Sequence, residues 1–409
     1  MNTKIESSTW ELLKLANVIE KMQGGGTPSK KVARYWDGNI PWASVKDIVT
    51  HNKNDTLDHI SEIGLKNSST RLVPRGTLIV PTRMALGHAV FFNVDVSINQ
   101  DLKAIYPIKE LRKQFLYYWF QSKKKYIARL GSGSTVDGIS QDELKNIDFL
   151  LPPLPEQEKI VEVLETWDEY LEKLKCAIKI KKKAKKGLMQ KLLTRKIRLP
   201  GFKENWNTVF LGEIYDITSS KRVFQSEWTS YGIPFYRARE IVKLSKNGFV
   251  DNELFISKEM YDLYKLKYGV PKKNDLLVTG VGTIGALYLV KDNVEFYFKD
   301  GNIIWFKNKR KASGEFIKQC FRTRAIKKQI LGSSPITTVA TYTIEAAKKT
   351  KIDLPILEEQ TAIAKILTTA DQEIEAFEKK RALIEAQKKF LLNNLVTGKI
   401  RLPEFINAN

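Results

Sequence analysis

The sequence contains itself twice. A displacement of 203 positions lays residues 151–202 over 354–405 without a gap. LPPLPEQEKIVEVL then falls on LPILEEQTAIAKIL, and LLTRKIRLPGF on LVTGKIRLPEF. The run KIRLP is identical in both copies, at 196–200 and 399–403. Self-similarity at a fixed period fixes the architecture before any single residue is interpreted. Looser matches precede each block. Trp10 with Leu15 corresponds to Trp206 with Leu211, GNIPWASVKDI to YGIPFYRAREI, GTLIVPTRMALG to NDLLVTGVGTIG, and LGSGSTVDGIS to LGSSPITTVATYT. The chain reads as variable region (1–150), helix block (151–200), variable region (201–353) and helix block (354–409).

Each helix block opens after a Pro-containing extended segment that cannot continue inside a helix. In the first block Ile160, Leu164, Trp167, Leu171, Leu174, Ile178, Leu188 and Leu192 recur at alternating spacings of four and three. That is the seam of a helix pairing lengthwise with another helix. The second block keeps the phase with Ile363, Leu367, Ala370, Ile374, Phe377, Ile384, Leu391 and Leu395. Where the seam breaks it breaks to cations: Lys181 and Lys185 in one copy, Arg381 and Lys388 in the other. A continuous helix over 155–193 would be about 58 Å long. Two such helices joined by a globular region are expected to pair antiparallel, as a coiled coil, with a pseudo-twofold axis relating the halves. The Lys-rich stretch 173–191 reads as a DNA-contacting face, a solvated surface, or a face covered by an acidic partner.

The variable regions carry short mixed patterns. GTLIVP, HAVFFNV, DLKAIYP, NDLLVTG, ALYLV, EFYF and NIIWF read as strands, with helices near 110–129 and 315–331. Each region is about the size of one α+β domain. The fold class is therefore α+β: two globular domains alternating with two long helices.

With 409 residues the chain exceeds one ordinary core. Its 68 Lys and Arg outnumber 46 Asp and Glu, a net charge of +22 that favours a polyanionic partner. The start lacks a basic-then-apolar signal and no apolar run suits a bilayer, so a cytoplasmic setting is expected, with no membrane partner. Cys176 and Cys320 lack CxxC partners, and His51, His59 and His88 lack metal-ligand spacing, so no metal is expected. Gly280, Gly282 and Gly285 spell GxGxxG, but strands rather than a helix follow, which argues against a dinucleotide site. A GxxxxGK[ST] phosphate loop, an amino-methyltransferase [DNS]PP[FYW] tetrapeptide and a convincing PD-(D/E)xK cluster are all missing from the sequence. No catalytic residue is assigned and no cofactor is expected on this chain.

Candidate DNA contacts are loops where small, hydroxyl or amide residues sit beside cations. The first region supplies Thr27, Ser29, Lys30, Lys31, Arg83, Ser132, Ser134 and Thr135. The second supplies Ser220, Lys221, Arg222, Arg237, Arg239, Thr283, Ser333, Ser334 and Thr337. The same Gly-Ser-Thr-Pro clusters also suit simple turns.

The duplicated LP-x-L-x-EQ-x-x-I opening, the duplicated L-x-T-x-KIRLP ending, GGGTPS and YWDGNIPW together resemble the specificity subunits of type I restriction-modification systems. The resemblance covers nearly the whole chain. It implies that the variable regions are target recognition domains, each reading one half of a split double-stranded DNA site from the major groove. It implies that the helix pair sets the unread spacer and docks two methylation (M) subunits, and through them restriction (R) subunits. S-adenosylmethionine, ATP and Mg would then belong to those partners. The second region departs from the pattern, with TSSKRVFQSEW in place of GGGTPSKKVARYW. A coiled-coil scaffold whose basic globular parts bind proteins is the competing reading.

Overall fold

In a computed structural model the structure describes residues 10–131, 138–251, 254–291, 294–332 and 341–406. The chain divides into two compact units, 1–175 with 379–409 and 176–378. Each long helix, Leu154–Leu192 and Leu357–Leu395, gives its first half to one unit and its second half to the other.

The first unit holds two four-stranded sheets. One runs Ile19–Gly24, Leu102–Pro107, Leu78–Pro81, Val90–Phe91, antiparallel throughout. The other runs Asp58–Ile60, Ile40–Ala43, Val96–Ile98, Arg71–Val73, with its middle pair parallel. Leu78–Pro81 is buried on both faces. Leu78 and Val80 join a core with Phe115, Trp119 and Phe149, while Ile79 joins a second core with Ile98 and Ala104. A strand sandwiched this way reads as an unbroken apolar run rather than an alternation. A hairpin-like pair, Glu11–Lys14 against Asp148–Leu151, ties the start of the unit to the approach to the first long helix.

The second unit repeats this plan. Tyr215–Thr218, Ile303–Asn308, Leu276–Thr279 and Leu287–Leu289 form the antiparallel sheet. Phe255–Ile256, Ile233–Tyr236 and Tyr297–Phe298 form the smaller sheet, its last pair parallel. Leu276 and Val278 face one core and Leu277 the other.

The helix expected near 110–129 is Lys113–Leu130. The one expected over 315–331 is two, Gly314–Cys320 and Arg324–Gly332. Thr323 causes the break, since both its N–H and its hydroxyl donate to the Cys320 carbonyl.

Within each unit the halves of the long helices pack antiparallel. In the first, Ile160 and Leu164 share a core with Leu395 and Val396, and Asp168 meets Lys388. In the second, Ile363 and Leu367 share a core with Leu192, and Asp371 meets Lys185. Leu171, Leu174, Ile178 and Ile374 are buried, while Trp167, Phe377, Ile384 and Leu391 are half-buried. The expected seam errs at Leu188, which is 42% exposed; Met189 packs against the core in its place, and Leu192 is buried as expected. A straight helix drifts about 20° per heptad against a 3.5-residue repeat, so the inward side has moved off Leu188 near the helix end.

Candidate nucleic-acid interface

In the first unit two of the three loops chosen from sequence, those of Thr27 and Arg83, meet the Gln100–Asp101 turn at one end of the antiparallel sheet. The Thr27 hydroxyl donates to Gln100 Oε1 at 2.5 Å. Thr82 donates its N–H to the Asp101 carbonyl at 2.8 Å, and Ile139 returns its N–H to Thr82 O at 2.9 Å. Arg83 is exposed, its guanidinium 3.9 Å from Asp101, and its backbone bridges Gly138. Lys103 lies among them. Burial lowers its ammonium pKa, Asp101 opposes the fall, and Arg83 adds to it.

The glycines before Thr27 serve close approach. A Cβ on Gly25 would stand 1.8 Å from the Ile98 carbonyl oxygen, and Gly26 donates to that oxygen at 3.0 Å. Ser29 accepts from the Trp36 indole at 3.3 Å, Lys30 lies 6.0 Å over the Trp36 ring, and Lys31 is exposed. Lys30 and Trp36 line a groove of about 670 Å³.

The second unit repeats the two backbone bonds of this convergence. Gly280 donates to the Asn302 carbonyl at 2.9 Å, and Tyr342 donates to Gly280 O at 2.8 Å. Ser220 donates to Phe298 O at 2.7 Å, the Lys221 N–H bonds the Tyr297 hydroxyl at 3.0 Å, and Arg222 pairs with Asp300 at 3.0 Å. Thr283 is exposed in the turn, its carbonyl accepting from the Thr279 hydroxyl. Gly87 and Gly285 occupy matching turns, both with φ +76. That turn joins two antiparallel strands, so GxGxxG here is a hairpin and not a nucleotide cradle.

Arg237 follows Tyr236, whose carbonyl accepts from the Lys299 N–H beside Asp300 at 2.8 Å. Arg237 and Arg239 both pair with Glu240, which is only 2% exposed, at 3.0 Å and 2.5 Å. Burial pushes the Glu240 carboxyl up, but the two guanidiniums outweigh it and hold it below the usual carboxylate range. Glu240 also caps its own helix through the Arg237 N–H, as Asp47 caps Ser44 at the matching place. Ser132, Ser134, Thr135, Ser333, Ser334 and Thr337 lie outside the described residues.

Two stretches, residues 7–182 and 203–386, match the family described as the type I restriction modification DNA specificity domain. The chain belongs to that family. It is 29% identical over 413 residues to the type I restriction enzyme MjaVIII specificity subunit of Methanocaldococcus jannaschii, a match spanning 96% of this chain and 93% of that one. Against the MjaIX specificity subunit of the same organism it is 28% identical over 283 residues, covering 63% of this chain and 64% of the relative. A crystal structure of the type-I restriction-modification system S subunit from M. genitalium shares the fold, with TM-score 0.59 at 18% identity, covering 97% and 99% of the two chains.

Two specificity domains in tandem account for the doubled loop set. The residues that sequence reasoning missed in them are Gln100, Asp101 and Lys103, and Asp300 with Asn302 in the second copy. Lys103 lies at the start of the central strand of its sheet, and the others sit in the turn entering that strand. Among the described residues no His, Cys, Asp and Glu cluster suits a metal ion, and no helix is long and apolar enough to cross a membrane.

Proposed function

We propose that this chain is the sequence-recognition subunit of a type I restriction-modification complex. Each specificity domain reads one half of a bipartite duplex site, and the paired long helices fix the length of the unread spacer. The observation that carries this reading is one duplicated framework presenting two unlike loop sets at the same place. Thr27, Arg83 and Gln100 stand at that place in one unit; Lys221, Arg222 and Asp300 stand there in the other. Hydroxyls and backbone N–H groups hold phosphates, while Arg and Gln can address guanine and adenine edges. The +22 charge supplies the counterion-release term that nonspecific DNA affinity requires.

The chain itself performs no reaction in this reading. The helices dock two methylation subunits, through which restriction subunits join, and S-adenosylmethionine, ATP and Mg belong to those partners. Exchanging residues 1–150 for a relative's region tests the proposal, with bound sequences selected from random DNA in the presence of the methylation subunits. One half-site should change and the other, with the spacer, should stay. Both half-sites changing together would refute it.

A further inference from the structure

The two units differ at one matching carboxylate. In the second, Asp371 takes three side-chain donors: Lys185, Gln319 Nε2 at 3.1 Å and Arg322 Nη1 at 2.6 Å. In the first, Asp168 takes two, the Tyr118 hydroxyl at 2.9 Å and Lys388. The helices beside them align through Phe115 with Phe316, both wholly buried. The alignment also holds at Arg112 and Ser313, whose N–H groups meet Gln157 and Gln360 at 2.8 Å each. On that alignment Gln121 stands where Arg322 does and Tyr117 where Lys318 does. The first unit therefore lacks the guanidinium that the second supplies to itself.

In its place is a cavity of about 840 Å³ whose lining includes Phe91, Tyr117, Tyr118 and the carboxylates Glu165, Asp168 and Glu169. Glu165 and Glu169 fall on Thr368 and Gln372 of the second copy, so the first unit carries extra acid beside the position where it lacks the arginine. Tyr117 packs 5.4 Å from Phe91 and 5.1 Å from Tyr118, giving an aromatic floor beside the acidic wall. Lys388 already lies 5.6 Å over Tyr118 while bonding Asp168, so the site accepts a cation at one end.

We infer that this cavity receives an arginine-bearing segment of a partner subunit, which completes at Asp168 the guanidinium contact that Arg322 makes at Asp371. A guanidinium suits both walls, stacking on aromatic faces and bonding carboxylates through a planar fork. A polyanion would meet the carboxylate wall, and no described cluster suits a metal ion. The inference rests on the reading that the chain works in a multi-subunit complex. It also makes the two halves of that complex unequal, because only the first unit leaves the position open.

The test is binding of a fluorescein-labelled hexa-arginine peptide to the full chain, followed by anisotropy. One peptide should bind per chain. Glu165→Gln with Glu169→Gln should weaken binding at least tenfold, and both side chains are exposed, so the fold survives. Gln121→Arg should block the site to the same degree by supplying the guanidinium internally. Peptide affinity unchanged in both variants, or absent from the unaltered chain, would overturn the inference. Specific DNA binding is measured on the same samples. Its retention beside lost peptide binding assigns the effect to the cavity, whereas its absence from the unaltered chain removes the functional reading instead.

Discussion

Arg401 grips Glu156 across 245 residues of chain with two hydrogen bonds, Nη2 to Oε2 at 2.7 Å and Nε to Oε1 at 3.0 Å. The Trp10 indole adds a third at 2.9 Å, and the carboxylate is wholly buried. The second unit builds the same latch from Arg198, Trp206 and Glu359, with distances of 2.8, 3.1 and 2.8 Å. Each latch joins the opening of one helix block to the close of the other, so neither block completes its own end.

Removing Arg401 leaves a buried carboxylate without its counter-charge. Arg401→Ala should destabilise the first unit by about 2–3 kcal/mol, below the usual ~3–5 for pairs wholly out of water because the arginine is partly exposed. Arg401→Lys should recover only part of the loss, since a point charge cannot reproduce the fork. Urea unfolding read by tryptophan fluorescence checks this; a loss under about 0.5 kcal/mol for Arg401→Ala would mean the latch is ornamental.

The helix seam makes a sharper contrast. Leu164 and Leu367 are both 0% exposed, and either truncated to Ala should cost about 3 kcal/mol. Leu188→Ala, on the same periodic stripe but exposed, should change stability by less than about 0.5 kcal/mol. A large loss at Leu188 in the isolated chain would contradict the observed rotation of the helix near its end.

Much of this was legible in the sequence, and its gaps are physical. KIRLP, LP-x-L-x-EQ and the paired tryptophans were visible as repeats, but a repeat gives correspondence and not contact. Nothing in the string states that Arg401 bonds Glu156 rather than Glu359. The cations interrupting the seam were visible as well. The partners Asp168 and Asp371 of two of them, Lys388 and Lys185, emerge only from the antiparallel packing. The same limit holds for the loop residues. Composition selected Thr27, Arg83 and Arg237 alike, because YRARE shows two arginines and hides the buried Glu240 that both pair with.

That burial sets a pH dependence. Glu240 ionises below its ordinary value of 4.5 when folded, because the pull of the guanidiniums exceeds the cost of burial. A depressed folded pKa gives stability that is complete above the unfolded pKa and is lost as pH falls through the folded one. The stability difference between the unaltered chain and Glu240→Gln should be full at neutral pH and shrink below about pH 4.5. A difference that instead grew on acidification would reverse the assigned sign.

Salt separates the arginines that face the solvent from those that serve the fold. Log K for DNA against log salt should fall steeply between about 50 and about 200 mM, each phosphate contact contributing about −0.9 to the slope. Arg83→Ala and Lys221→Ala should each reduce the slope by roughly one contact while leaving the melting temperature in place. Arg237→Ala should do the opposite, since its guanidinium is spent on Glu240: the slope holds and the second unit melts earlier. Fluorescence anisotropy across the salt series decides between them. A slope that drops as far for Arg237→Ala as for Arg83→Ala would place Arg237 on the DNA after all.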